Sequence, residues 1–193
     1  MFVVECHYPY SILVTSTKTR ALDAAIDLLG TEGLRALTHG RVDERAGIPK
    51  GSTSNYFRTR AALLSGVVAR IVERELPPVD AALSLTSASE LVDTFCGFFE
   101  YATSINRVLT TARLVLFMEG AHNSAIREDL SRGRAAMMSP VVPALARLGA
   151  HDPQAAANAF AACFEGLVLH HIARHDDTDP RPTFNLIVTA ALS

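Results

Sequence analysis

The sequence predicts an all-α protein: an N-terminal three-helix head followed by an antiparallel helical bundle, with no sheet. Three observations predict it. Apolar residues recur at spacings of three and four along most of the chain, and no segment alternates apolar and polar as a half-buried strand would. Turn signals rich in Gly, Pro, Asn and Asp cut this pattern into lengths of helix size, with no internal repeat. Residues 38–57, THGRVDERAGIPKGSTSNYF, read as two short helices joined by a tight turn, a helix-turn-helix.

Composition sets outer limits. With 193 residues, 49% of them hydrophobic, and a net charge of −2, the chain has the make-up of a soluble globular protein of one large or two small domains. No apolar run approaches the ~18–20 residues a membrane span needs, and no signal-peptide pattern opens the chain, so a cytoplasmic location is expected. Cys6, Cys96 and Cys163 are odd in number and far apart, which argues against a disulfide framework; Cys96 and Cys163 sit among apolar neighbours and are read as core hydrophobes before redox sensors. Charge is unevenly spread. Residues 16–75 carry ten Lys or Arg against seven Asp or Glu, the remainder eight against thirteen, a mildly basic head on an acidic body.

Residues 1–15, MFVVECHYPYSILVT, have no clear period and are expected to form a flexible extension. From Thr19 the pattern is helical, with Leu22, Ala25, Ile26 and Leu29 on one face and Gly30 and Gly33 as its end. Thr38 is a good N-cap for a helix to about Ala46, and Gly47 can take the left-handed conformation that ends it. Pro49 then falls at the first position of a second helix. That helix carries Lys50, Gly51, Ser52, Thr53, Ser54, Asn55 and Tyr56, too small and polar to serve a core. Such side chains suit insertion of a helix N-terminus into the major groove, and the free N–H groups of residues 50–53 would point toward an anion. Phe57 reads as a plug against the first and fourth helices. Thr59 caps the fourth, whose buried face is Ala62, Leu63, Val67 and Ile71. Arg60 opposes the dipole of its own helix, which a nearby phosphate would explain. Leu76-Pro77-Pro78 closes this helix and sets the domain boundary, dividing 16–76 from 77–193.

At these residues the sequence resembles the TetR (tetracycline-repressor-like) transcriptional regulators. The resemblance runs from about Thr17 to Ile71 through Gly33, Leu37-Thr38, Ala46-Gly47-Ile48, Lys50-Gly51-Ser52, Tyr56-Phe57, Arg60 and Leu63-Leu64. It implies a homodimeric, DNA-binding regulator, in the first instance a repressor released from a palindromic operator by a small-molecule effector. It also implies that the natural start lies near Thr17. Candidate DNA contacts are Thr38, His39, Lys50, Gly51, Ser52, Ser54, Asn55, Tyr56 and Arg60. Three positions depart from the family pattern: Asp43 stands for a small Ala, Thr53 for Leu, and Ser54 for an aromatic residue. Asp43 and Thr53 are expected to form a hydrogen-bonded pair across the two helices.

Further helices are expected over 88–103, 106–121, 124–147, 153–175 and 182–192. Leu91, Phe95, Phe98, Phe99 and Ala102 would pack on Leu109, Ala112, Leu116 and Phe117, and Pro140 and Pro143 should kink or divide the third of these helices. Phe95, Phe99, Phe117, Met118, Met137 and Met138 are candidates to wall an effector pocket. Small residues along 153–175, with the apolar helix 182–192, point to self-association through a bundle shared between subunits. A dimer also doubles the length of DNA read.

Two other functions compete. His171 and His175 lie i,i+4 before Asp176, Asp177 and Asp179, a spacing that can hold a transition metal and would make a metal-dependent sensor or enzyme. A helix end favours His anyway, and the chain has no nucleophile elbow, P-loop or dinucleotide fingerprint, so no metal, cofactor or catalytic residue is expected. An architectural DNA binder without an effector is the other alternative, against which the large C-terminal portion argues.

Overall fold

Ser16 caps the first helix, its hydroxyl accepting from the Thr19 amide at 3.1 Å, in a computed structural model that describes residues 16–81 and 85–192. The extension 1–15, with Cys6, lies outside the described residues. The helices are α1 (Thr17–Glu32), α2 (His39–Ala46), α3 (Ser52–Tyr56), α4 (Arg60–Ala81), α5 (Ala88–Thr103), α6 (Arg107–Gly120), α7 (Ser124–Arg147), α8 (Pro153–Arg174) and α9 (Arg181–Leu192), with a 3₁₀ turn at Leu34–Ala36. No strand occurs among the described residues.

Side-chain caps start most of these helices where the sequence predicts. Thr38, Ser87, Asn123 and Asp152 each accept from the amide three residues on, which satisfies one of the unpaired N–H groups of a helix start. Three expectations are corrected. Gly30 does not end α1; a Cβ there would lie 2.1 Å from the Val108 carbonyl oxygen, so its bareness lets α1 and α6 touch. Ala62 is exposed, and Leu64 and Val68 complete the buried face of α4 with Leu63, Val67 and Ile71. α4 runs past Pro77-Pro78 to Ala81: the fixed φ of proline is a helical one, and the cost is lost N–H bonds and crowding against the preceding turn rather than an obligatory stop. α7 continues through Pro140 and Pro143 as one helix, so of the two expected outcomes, kink or division, division does not occur.

Two apolar cores result. One joins α1, α2 and α4 to Leu109, Ala112 and Leu116 of α6 and Ile126 of α7. The other gathers α5, the second half of α7, α8 and α9 around Phe160 and Phe184. α4 bridges the parts: it packs on α1 in the head and on α7 in the body, where a Cβ at Gly133 would lie 2.6 Å from Val72 Cγ2.

Candidate nucleic-acid interface and interior cavity

The turn between α2 and α3 is built from backbone first. Gly47 takes φ +60° and closes α2, Ile48 N–H donates to the Asp43 carbonyl, and Ser52 N–H donates to the Pro49 carbonyl. Gly51, at φ +89°, is the N-cap of α3, so Pro49 precedes the helix instead of starting it. Arg20 of α1 clamps this turn through Nη2 to the Ala46 and Gly47 carbonyls at 2.7 and 3.1 Å.

Under α3 lies Asp43, 3% exposed. Its carboxylate accepts from Gly51 N–H at 2.6 Å, from Thr53 N–H at 2.8 Å and from the Thr53 hydroxyl at 2.6 Å. Burial alone would push this carboxyl up, but the Thr53 and Gly51 donors outweigh it and hold the group below its ordinary range. The expected Asp43–Thr53 pair is therefore present and wider than a pair. It also corrects the expectation of free amides at residues 50–53: those of Gly51, Ser52 and Thr53 are all occupied, and Asp43 already supplies the negative charge favoured at this helix start.

What α3 offers outward is side chains. Lys50, Ser54, Asn55 and Tyr56 are exposed, Tyr56 by 49%, and Gly51 and Ser52 are half-buried beside them. Ser54 Oγ donates back to the Gly51 carbonyl at 2.8 Å. Thr38 is exposed at the start of α2, and His39 Nε2 lies 2.6 Å from the Phe57 carbonyl, tying that start to the end of α3. Phe57 is buried as a plug, with Lys18 over its ring at 5.9 Å. Arg60 has a structural explanation that needs no phosphate: Nη1 and Nη2 donate to the Leu37 and Leu34 carbonyls at 2.6 and 2.8 Å, closing the 3₁₀ turn. Sequence reading does not single out Arg58 or Arg35, which with Lys50 are exposed and have no ion pair among the described residues. Arg41 and Arg45, by contrast, are paired with Glu32.

The body holds a partly open cavity of about 170 Å³ between α4, α5, α6, α7 and α8. Of the six candidates, Phe95, Phe117, Met137 and Met138 line it. Phe99 and Met118 do not: Phe99 is buried against the edge of His171 with ring centroids 5.4 Å apart, and Met118 points outward, 71% exposed, because both fall on the faces of α5 and α6 turned from the cavity. Phe98 takes a place on the wall, with Val68, Ile71, Val72 and Glu75 of α4. Glu75 and Arg113, which apolar periodicity does not reveal, are each only 11% exposed, with Arg113 Nε 3.5 Å from Glu75 Oε1.

The remaining sequence candidates have packing roles. His171 Nδ1 is 2.9 Å from the Asp176 carbonyl, and His175 ends α8 in the left-handed conformation at φ +55°. Cys96 and Cys163 are free and half-buried, and burial raises both thiols, which lowers their reactivity.

A helix-turn-helix head presenting polar side chains, joined by one long helix to an all-helical body with a cavity, defines the class of DNA-binding transcriptional regulators. Two family models match: bacterial regulatory proteins of the tetR family over residues 21–67, and the tetracyclin repressor-like C-terminal domain over residues 86–193. The chain belongs to the tetracycline-repressor-like family of bacterial regulatory proteins. Among solved structures it is similar to a TetR-family transcriptional regulator from Rhodococcus sp. (22% identity, 91% of this chain and 98% of that one, TM-score 0.76). It is also similar to the multidrug binding protein EbrR complexed with ethidium (22%, 91% and 98%, TM-score 0.72). A third is the transcriptional regulator FadR from Bacillus subtilis in complex with stearoyl-CoA (13%, 90% and 97%, TM-score 0.72). At these identities the likeness is one of fold. None of the curated proteins matches the sequence. No helix among the described residues is long and apolar enough to cross a membrane.

Proposed function

We propose that this regulator is a cytoplasmic homodimeric repressor that reads a palindromic operator with α3 and is released by a small molecule held in the body cavity. The observation that carries the reading is α4. Its first residue, Arg60, is tied to the head by two hydrogen bonds, and Val68, Ile71, Val72 and Glu75 of the same helix line the cavity. A ligand that prefers one position of α4 shifts the population of head orientations, by typically ~1–3 kcal/mol of coupling. Residues 16–76 then serve as reader and 77–193 as sensor and dimer base. Lys50, Ser52, Ser54, Asn55 and Tyr56 face the groove, Thr38 and the unpaired Arg35 and Arg58 serve the backbone phosphates, and His39, Gly51 and Arg60 hold the frame.

Dimerisation through α8 and α9 has a physical basis. Ala155, Ala159, Ala162, Leu169 and Ala173 are exposed along one seam of α8, Gly166 of the same seam has open space where a Cβ would be, and Leu186 of α9 is 71% exposed. Spacings of three and four keep these small residues on one face where a second copy can approach closely, and a two-fold axis there presents two α3 helices to major grooves ~34 Å apart. The cavity weighs against a purely architectural role, which needs none. Selection of bound DNA from a random pool tests the reading: a recovered palindrome supports it, whereas binding without sequence preference points to the architectural alternative.

A further inference from the structure

The body cavity carries more chemical information than its apolar lining suggests. Glu75 Oε2 and Arg113 Nε, both walled off from solvent, have no hydrogen-bond partner among the described residues. The two side chains meet at 3.5 Å, a charge contact too loose to be a hydrogen bond. A buried acceptor and a buried donor left open side by side are costly unless something else fills them. Resting on the effector reading above, we propose that this cavity is built for a small neutral aromatic alcohol, a phenol, whose hydroxyl donates to Glu75 and accepts from Arg113.

Three properties narrow the choice. The first is charge: the Asp, Glu, Lys and Arg side chains on the wall are Glu75, Glu165, Arg113 and Arg134, two of each sign. Arg134 and Glu165 lie 3.4 Å apart on the more exposed side. A cationic or anionic ligand would leave one charge uncompensated in an apolar interior, which a neutral ligand avoids. Size is the second property. About 170 Å³ is close to the ~150 Å³ of an apolar cavity that accepts one benzene ring. The third is the character of the wall: Phe95, Phe98, Phe117, Phe160 and Phe164 line the space, and Phe95 is backed by Phe160, stacked on it at 4.7 Å with planes 6° apart, so the lining is aromatic and suits an aromatic guest. A hydroxyl is the smallest group that both donates and accepts, and on an aromatic ring it meets all three conditions.

The test is calorimetric titration of the full-length protein, free of DNA, with 4-ethylphenol, ethylbenzene, 4-ethylbenzoate and phenethylammonium. The expected result is that 4-ethylphenol binds at least about tenfold more tightly than ethylbenzene, the worth of about one satisfied buried hydrogen bond, and that both ions bind more weakly still. Glu75→Leu should erase the preference for the phenol. Since that variant strands Arg113, the double variant Glu75→Leu/Arg113→Met, which replaces both partners with apolar groups, is measured beside it and should bind phenol and ethylbenzene alike. Equal binding of phenol and ethylbenzene by the unaltered protein, tighter binding of either ion, or no binding of any probe at millimolar concentration overturns the proposal. Release of selected DNA is read separately. Phenol that binds without lowering operator affinity upholds the ligand chemistry and sinks the effector reading, whereas DNA release by another compound with no phenol binding sinks only the ligand chemistry.

Discussion

Asp43 and Glu75 are both carboxylates taken out of water, one in the head and one in the body, and their surroundings differ. Asp43 receives three donors at 2.6–2.8 Å and its carboxyl is held below the ordinary range. Glu75 has a loose contact to one arginine, an unpartnered oxygen, and a carboxyl pushed up by burial. The same contrast extends around them. Arg20 and Arg60 in the head close specific carbonyls, and α2, the turn and α3 form one hydrogen-bonded unit. In the body, methionines and half-buried phenylalanines surround a space. A reader needs its side chains held in one place, so its polar groups are satisfied internally. A sensor needs a state that a ligand improves, so some of its groups are left for the ligand.

The largest effect is expected at Asp43. Asp43→Ala leaves the Gly51 and Thr53 donors without an acceptor and should cost about 2–3 kcal/mol in urea unfolding, with loss of DNA binding. Its pH dependence has a definite sign. Because the folded pKa is lowered, the stabilisation is complete above the unfolded value of about 3.9 and disappears as pH falls through the folded value. The stability gap between the unaltered protein and Asp43→Asn should therefore narrow as pH is lowered below about 4. For Glu75 the sign reverses: its raised folded pKa gives a contribution present below the unfolded value and lost as pH rises through the folded one. If both carboxylate variants respond to pH alike, the contrast between head and body is wrong.

Next comes Arg60→Ala. Loss of two bonds to the Leu34 and Leu37 carbonyls should cost about 1 kcal/mol of stability, while the salt dependence of DNA affinity stays as it was. A salt slope reduced by about one would return Arg60 to the phosphates and weaken the view that the head's polar groups face inward.

Phe117→Ala should cost less than about 1 kcal/mol, since this half-buried ring already borders a void and its loss opens no new sealed cavity. Operator affinity should remain within a few-fold of the unaltered protein while the response to ligand changes. A loss of several kcal/mol would show the body to be as tightly specified as the head.

The smallest expected change in stability is at Lys50. This side chain is exposed and makes no ion pair among the described residues, so Lys50→Ala should alter folding by no more than about 0.5 kcal/mol. DNA binding should weaken nonetheless, and a gel-shift titration against salt distinguishes the roles. A slope lower by about one places Lys50 on a phosphate, and changed base preference places it on a base edge. Unchanged affinity would remove this face of α3 from the interface.

Periodicity, caps and glycines by themselves determined the helices and their order and the helix-turn-helix, because these depend on residues within about one helical turn or across one short turn; the Asp43–Thr53 contact came from two polar residues standing where the resembled family has apolar ones. Ser87, Asn123 and Asp152 start α5, α7 and α8 by chemistry local to each. Only the tertiary structure decided four other matters. Gly30, which reads as a helix end, permits contact between helices far apart in sequence, visible only once Val108 is known to lie against it. Arg60, which reads as a phosphate contact, meets carbonyls more than twenty residues earlier. Phe98 lines the cavity and Phe99 does not, though they are neighbours on one apolar stripe, because a small rotation of α5 separates wall from core and no local rule sets that rotation. Glu75 and Arg113 were hidden for the same reason. Each is an unremarkable charge in its own helix, and it is the packing of α4 against α6 that removes both from water together.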